Sequence, residues 1–419
     1  MSEPRRNPPD FRGEDVNDSE PRRITSSVWL GYNNVFLQIA MRRLLPLSLC
    51  LLALPLAAQQ PQFHTPPQTL SVAAKSYMLA DLQSGQVLVS KNAHERVEPA
   101  SLTKLMTAYV VFAALYQKRV TLTQAVPVSA RAWRAQGSRM FIEPKKPVTV
   151  DELIRGMIVQ SGNDASIALA EAVSGSEEAF AQAMNKEAVR LGMKNTRFAN
   201  STGLPNPDHY STAYDLALLA TAIIRDFPEY YPLYSLKEYT YNKITQANRN
   251  RLLWLDPNVD GMKTGHTEAA GYCLITSARR EQRRLVAVVM GTASESARAM
   301  ESQRLLNYGF QFYDTVRLYP GEQEVIAIPL WKGAQDKLRT GFGNDVYFSL
   351  PRHQTDKLKA RMEYKQPLLA PVTAGQKVGI VKFTLEGKQV VEHPLVALET
   401  VSAANIFGRA WDSMRLLFN

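Results

Sequence analysis

The chain has 419 residues, 45% of them hydrophobic and 9% aromatic, which is enough apolar material for two domains with cores of their own. Its formal net charge is +10, which could suggest nucleic acid, yet the absence of a basic run of five or six residues and of any motif of a nucleic-acid-binding fold argues against that partner; the charge also suits an anionic membrane or an acidic polymer. Two cysteines and six histidines, with no histidine pair at ligand spacing, leave no Cys-based metal site and imply neither a metal nor another cofactor.

In chain order, residues 1–40 are polar, charged and Pro-containing, with no periodicity. Residues 41–58, "MRRLLPLSLCLLALPLAA", follow the plan of a secretory signal: Arg42 and Arg43, then an apolar run too short to span a membrane, then Leu56, Ala57 and Ala58 as a cleavage site before Gln59. A signal should begin a chain, so Met41 is the expected start and residues 1–40 a doubtful upstream extension. The competing reading is a cytoplasmic tail with an uncleaved anchor. Cleavage removes Cys50 and leaves Cys273 without a disulfide partner. Residues 59–72 are a Gln/Pro-rich linker.

The next segment, residues 73–316, reads as one domain. "SYMLADLQSGQVLVSKN" is a hairpin around a Ser-Gly turn, and "PASLTKLMTAYVVFAALYQ" opens a helix. In "TVDELIRGMIV", Thr149 and Glu152 stand at capping-box spacing. The helix breaks at "QSGND" and resumes in "ASIALAEAV". "SEEAFAQAMNKEAVRLG" is a further helix, capped by Ser176 and ended by Gly192. Residues 196–215 are irregular, and loops of that length are usually functional or mobile. "GYCLITSA" and "RRLVAVVMG" make a second hairpin, and a helix over about 294–312 closes the domain. Strand–strand–helices–strand–strand–helix is the order of an α+β domain, one antiparallel sheet with helices packed on it.

Residues 317–398 change texture to short Val/Ile/Tyr/Phe segments between Gly/Pro turns, a small all-β domain. Residues 401–419 end in an amphipathic helix with Ile406, Phe407, Ala410, Trp411, Met414, Leu417 and Phe418 on one side. Such a face suits a membrane interface; the alternative is a helix docked on its own domain.

Three short motifs carry chemistry. Ser101 and Lys104 are one helical turn apart, and a serine hydroxyl needs a base to become a nucleophile. A buried lysine is such a base if burial and cationic neighbours keep it neutral, and Leu102, Leu105, Met106 and Val110 supply apolar walls. A lysine at a helix start is more often simply solvated. Ser161 and Asn163 sit at the break between two helices, where a hydroxyl can relay a proton and an amide can hold a carbonyl; an ordinary helix break reads the same way. Lys263, Thr264 and Gly265 precede a strand, with a cation and a hydroxyl for a carboxylate and a glycine that lets a substrate backbone approach the strand edge; an ordinary turn is the alternative. Arg339, Thr340 and Gly341 repeat the triplet pattern in the β domain with no companions, a measure of how little it means alone.

Together the three motifs are specific: Ser-x-x-Lys, Ser-x-Asn and Lys-Thr-Gly, in that order, inside an α+β domain behind a signal peptide. The chain resembles the low-molecular-mass penicillin-binding proteins, serine D-alanyl-D-alanine carboxypeptidases of the five/six group. The likeness covers nearly all of the sequence after Met41, including "PASLTKLMT", "QSGNDA", "AYDLALL", "NRNRLLW" and "NVDGMKTGHT". It implies a penicillin-recognising α+β fold, a peptidoglycan stem peptide ending in D-Ala-D-Ala as substrate, β-lactams as covalent inhibitors, and residence on the periplasmic face of the inner membrane through residues 401–419. By the same resemblance Ser101 is the nucleophile, Lys104 its base, and Ser161 and Lys263 the route of the proton to the leaving group. Asn163 holds the substrate chain, Ser101 and His266 supply backbone N–H groups to the oxyanion, and Thr264, Gly265, Arg298 and Arg249 line the carboxylate side. One departure stands out: Thr202-Gly203-Leu204 occupies the place where the family often has His-Gly-Leu, in a loop that affects deacylation. Nearby, only Asp208 and Asp215 offer carboxylates, so no counterpart of a β-lactamase glutamate is evident.

Overall fold

The computed structural model describes residues 70–416. The upstream extension, the signal segment, most of the linker, Leu417 and Phe418 lie outside the described residues.

The chain forms two compact units. The first opens with the hairpin β1 (Ser76–Asp81) and β2 (Val87–Lys91), then a turn of 3-10 helix, Ala100–Thr103, that runs into α1 (Lys104–Tyr116). A two-residue ribbon, β3 (Ala125–Val126) and β4 (Val148–Thr149), flanks the one-turn α2 (Ala130–Trp133). Helices α3 (Val150–Val159), α4 (Asn163–Ser174), α5 (Glu177–Arg190) and α6 (Ala213–Asp226) follow. The Thr149–Glu152 capping box closes in both directions, at 2.8 and 3.3 Å. Ser176 caps α5, and Gly192, at φ +77°, ends it. The hairpin β5 (Glu238–Tyr241) and β6 (Ile244–Ala247) has no counterpart in the sequence reading. After the short α7 (Leu252–Leu255) come β7 (Val259–Thr267), β8 (Gly271–Arg280), β9 (Arg283–Thr292) and α8 (Glu295–Phe312).

The five strands make one antiparallel sheet in the order β2-β1-β9-β8-β7. Both faces are covered, which is why β8 and β9 read as continuous apolar runs rather than alternating ones. On β9, Val286, Val288 and Met290 belong to one core, with α1 and α3–α6. Leu285, Ala287 and Val289 belong to the other, with Leu305, Leu306 and Phe310 of α8. The sheet is thus the middle layer, and β7 is its outer edge.

The structure differs from the sequence reading at two places. Lys263, Thr264 and Gly265 do not precede a strand; they lie within β7, which puts them on the sheet edge itself. The triplet has no period-2 pattern because both faces of β7 are buried at these residues. Residues Tyr347–His353, expected in the β domain, belong to the first unit. There the Ser349 hydroxyl meets those of Ser84 and Thr315 at 2.7 and 2.9 Å, and its N–H donates to Gln86 Oε1 at 2.6 Å.

The second unit is all-β, as expected. Strand β10 (Tyr313–Tyr319) runs from the first unit into it, and of β13 (Val346–Pro351) it holds only Val346; its other strands are β11 (Glu324–Trp331), β12 (Lys337–Gly341), β14 (Leu358–Tyr364), β15 (Leu368–Leu369), β16 (Lys377–Leu385) and β17 (Lys388–Ala397). Six of them form a sheet in the order β14-β16-β17-β12-β11-β15. Arg339, Thr340 and Gly341 are structural here: the Thr340 hydroxyl donates to Ile326 O at 2.6 Å, and a Cβ on Gly341 would stand 2.2 Å from Gln323 O. The chain closes with α9 (Ile406–Leu416). Its Asp412 carboxylate accepts the Lys332 N–H at 2.6 Å and Arg415 lies over the Trp331 ring, while Ile406, Phe407, Trp411 and Met414 are exposed. Among the described residues no helix is long and apolar enough to cross a membrane.

Candidate active site

In a 3-10 turn, residues three apart eclipse one another. Ser101 sits in such a turn, so Lys104, the first residue of α1, stands directly over it, with Nζ 2.9 Å from Ser101 Oγ. Lys104 is 1% exposed. Burial, and then the cationic field of Arg249, lower its pKa from 10.5 to about 7, against the opposing pull of Asp164 and Glu177.

Two other groups complete the surroundings of Nζ: Asn163 Oδ1 at 2.7 Å and the Thr202 carbonyl at 2.6 Å. The Asn163 amide cannot be turned the other way, because its Nδ2 donates to Gln136 O at 2.6 Å. Both neighbours of the amine are therefore pure acceptors. A neutral amine has two N–H bonds and one lone pair. Asn163 and Thr202 accept from Nζ, and Ser101 Oγ accepts at its third position; once the amine is neutral, with two N–H groups on Asn163 and Thr202, its lone pair faces that hydroxyl. It is burial, and then Arg249, that favour the base form; the three oxygens fix where the amine points.

Ser161, in the short break between α3 and α4, has φ +65°, a conformation that non-glycine residues avoid and that costs about 1–3 kcal/mol. Its hydroxyl is buried and has no hydrogen-bond partner in the protein. A strained residue with an unsatisfied hydroxyl is a group held ready for something else to bind. Ala100, just before Ser101, is left-handed too, at φ +47°.

Lys263 on β7 is 3% exposed, with Nζ donating to Thr264 O at 3.1 Å. Burial, then Lys104, Arg249 and Arg298, hold its pKa well below the usual lysine range. Arg298 is itself buried, with its guanidinium over the Tyr272 ring and 3.1 Å from Glu295. Arg249 is exposed, yet its charge is felt by Lys104, Lys263 and Arg298, so it belongs to the same field rather than to a remote surface. The two guanidiniums, beside the lysines, favour an anion among them. Thr264 is buried beside Lys263, and the exposed His266 stacks on Tyr272 at 4.1 Å between ring centres. Gly265 makes room, but that room is taken by the nucleophile's own turn: a Cβ there would stand 3.1 Å from Pro99 O and 3.2 Å from Leu102 Cγ.

Sequence reasoning missed three supports. Asp164 accepts the N–H groups of Met140, Phe141 and Ile142 at 2.9, 2.8 and 3.2 Å and so ties that loop to the start of α4. The Thr202 carbonyl is a main-chain atom, and no side-chain pattern announces it. Buried His209 bonds Thr103 of the nucleophile turn. The two loop carboxylates are otherwise engaged: Asp215 accepts Asn195 N–H and the Thr196 hydroxyl, and exposed Asp208 pairs with Arg197 at 4.0 Å. Among the described residues no cluster of side chains is suited to a metal ion.

Comparison with known proteins gives the same reading. Residues 60–294 match the family model described as D-alanyl-D-alanine carboxypeptidase. Residues 313–403 match that of the penicillin-binding protein 5 C-terminal domain. The chain is 44% identical over 357 residues to D-alanyl-D-alanine carboxypeptidase DacC of Escherichia coli (strain K12), covering 83% of this chain and 89% of the relative. It is 41% identical over 367 residues to DacA of Haemophilus influenzae, covering 86% and 93%. Among solved structures, penicillin binding protein 5 from Haemophilus influenzae superimposes with a TM-score of 0.76 at 41% identity, over 81% of this chain and 99% of that one. Penicillin binding protein 6B from Escherichia coli gives 0.65 at 40% identity, over 79% and 97%.

Proposed function

The chain belongs to the D-alanyl-D-alanine carboxypeptidases, penicillin-binding serine peptidases of the bacterial cell wall, and from that premise we propose how its residues divide the reaction. Ser101 Oγ attacks the carbonyl between the two terminal D-alanines of a stem peptide while its proton passes to neutral Lys104. The oxyanion is held by the backbone N–H groups of Ser101 and His266. The C–N bond breaks, and the Ser161 hydroxyl, with Lys263 beside it, carries the proton to the leaving amine. The D-alanine carboxylate rests in the cationic field of Arg298, Arg249 and Lys263, with Thr264 as hydroxyl donor. Asn163 has two roles in this reading: its carbonyl orients Lys104, and its amide holds the substrate chain. Water then attacks the acyl-enzyme, with Lys104 again taking the proton, and frees the shortened peptide.

The observation that carries this reading is the buried Lys104 Nζ held by Asn163 and Thr202 at 2.9 Å from Ser101 Oγ, where the lone pair of the neutral amine meets the hydroxyl. Penicillin acylates the same hydroxyl. The substrate is part of the cell wall, so the enzyme works outside the cytoplasm; the finer reading is a secreted enzyme on the periplasmic face of the inner membrane, held there by the exposed apolar side of α9.

The test is release of free D-alanine from a peptide ending in D-Ala-D-Ala, with Ser101→Ala beside the wild type. Release and covalent penicillin labelling should both vanish in the variant while the fold stays intact. Labelling that survives Ser101→Ala would remove Ser101 as nucleophile.

A further inference from the structure

His209 lies near the end of the irregular stretch between α5 and α6 and is 3% exposed. Both ring nitrogens are engaged. Nδ1 accepts the Ala199 N–H at 3.2 Å, so the proton is on Nε2, which donates to Thr103 Oγ1 at 2.7 Å. Phe198 packs edge-on against the ring. The imidazole therefore joins two backbone segments that matter to the site. Thr103 is the residue before Lys104, and Ala199 leads into residues 200–204, whose Thr202 carbonyl is on Lys104 Nζ.

That loop touches the nucleophile helix at further points. The Thr107 hydroxyl donates to Ser201 O at 2.6 Å, and Ser201 is held in turn by Glu177. Gly203 crosses so close to the nucleophile turn that a Cβ would fall 1.8 Å from Ala100 O. Gly203 also stands against Thr103, but among these ties the hydrogen bond at that residue, which adjoins the base, is made by His209.

We infer that His209 is a positioning residue for Lys104: by tying Ala199 to Thr103 it holds the Thr202 carbonyl against the amine, and so keeps the amine lone pair aimed at Ser101. The inference rests on Lys104 being the base, as read above. The imidazole must be neutral for this, because a protonated ring has no acceptor for the Ala199 N–H. Burial, and then the charge of Lys104, keep it so by lowering its pKa to about 4.

The test compares wild type, His209→Leu, His209→Gln, Thr103→Val and the double variant His209→Leu/Thr103→Val, using the full chain. Active sites are counted by labelled penicillin, and kcat, KM and the penicillin acylation rate are measured per counted site. Loss of aim at the base should lower kcat and the acylation rate by about 10–100-fold in His209→Leu and in Thr103→Val, with KM nearly unchanged. The double variant should be no slower than the slower single one, since each removes the His209–Thr103 bond. His209→Gln, whose amide can both accept and donate, should recover most of the rate. A purely structural histidine would lower the number of countable sites and leave the rate per site alone. Unchanged rates per site in His209→Leu and Thr103→Val would overturn the inference, as would multiplicative losses in the double variant. If His209→Leu does not fold, Thr103→Val, which keeps the side-chain volume, decides. If the wild type acylates with penicillin but releases no D-alanine, the carboxypeptidase reading fails while the acylation rates still decide the role of His209.

Discussion

At the scale of single residues, the site works by preparing groups before substrate arrives. Lys104 has a pKa of about 7 and must be neutral to accept the Ser101 proton. Penicillin acylation should therefore rise about tenfold per pH unit well below that value and level off above it. Arg249 lowers that pKa, so Arg249→Ala should raise it and move the midpoint of the acylation profile toward alkaline pH. Because Arg249 is exposed, the displacement should shrink in high salt. Labelling rates measured across pH for both proteins check this; a midpoint that moves the acid way would mean that Arg249 acts otherwise than through its charge. Ser161 supplies the second case. Its left-handed backbone is strained and its hydroxyl unsatisfied, so Ser161→Gly removes both costs. The variant should unfold at the same or a slightly higher temperature, by up to about 1 kcal/mol of added stability, while acylating more slowly. A variant that is both less stable and fully active would show that the serine is there for the fold.

At the scale of elements, the nucleophile turn is gripped from two sides. β7 approaches it at Gly265, and the loop of residues 200–204 approaches it at Gly203. Gly203→Ala adds a Cβ where Ala100 O already stands, at a φ of +83° that alanine avoids. It should cost more than about 2 kcal/mol of stability or, if the loop yields, slow acylation by displacing the Thr202 carbonyl. Denaturant unfolding with labelling kinetics separates the two, and a stable variant with normal rates would mean that the loop does not support the base. The same elements show what a sequence can and cannot disclose. Ser101 and Lys104 were legible because helical spacing is local, and the Thr149–Glu152 box and the Ser176 cap were legible for the same reason. The edge position of Lys263 was not, because strand order in a sheet depends on partners far along the chain. The Thr202 carbonyl was invisible because every residue has one. His209 left no trace because its partners, Thr103 and Ala199, are 106 and 10 residues away and follow no repeat. Residues Tyr347–His353 read with the β domain because their composition matches the strands around them, while Ser349 among them bonds Ser84 and Thr315 of the first unit.

At the scale of the whole molecule, the remaining question is how a protein with no described membrane-spanning helix stays near its substrate. The sequence offered two readings of the terminal helix, a membrane face or a docked helix. The two sides of α9 bear on them differently. Its polar side is fixed to the second unit through Asp412 and Arg415. Its apolar side is bare, with Ile406 at 73% and Phe407 at 85% of full exposure, and Trp411 and Met414 beside them. Burying one such side chain in lipid yields about 1.5–3 kcal/mol, so losing two from this face should weaken binding at least tenfold. The net charge of +10 adds attraction to anionic headgroups. Phe407→Ser/Trp411→Ser should therefore bind vesicles containing anionic lipid at least tenfold more weakly than wild type, and the blue shift of Trp411 emission on binding should disappear with it. Release of D-alanine from a soluble peptide should be unchanged, because neither residue belongs to the unit that carries Ser101. Raising the salt should weaken binding of both proteins by a similar factor, since the substitution leaves every charge in place. Equal vesicle binding by wild type and variant would shift the anchor elsewhere in the chain and leave the apolar side of α9 in need of another occupant.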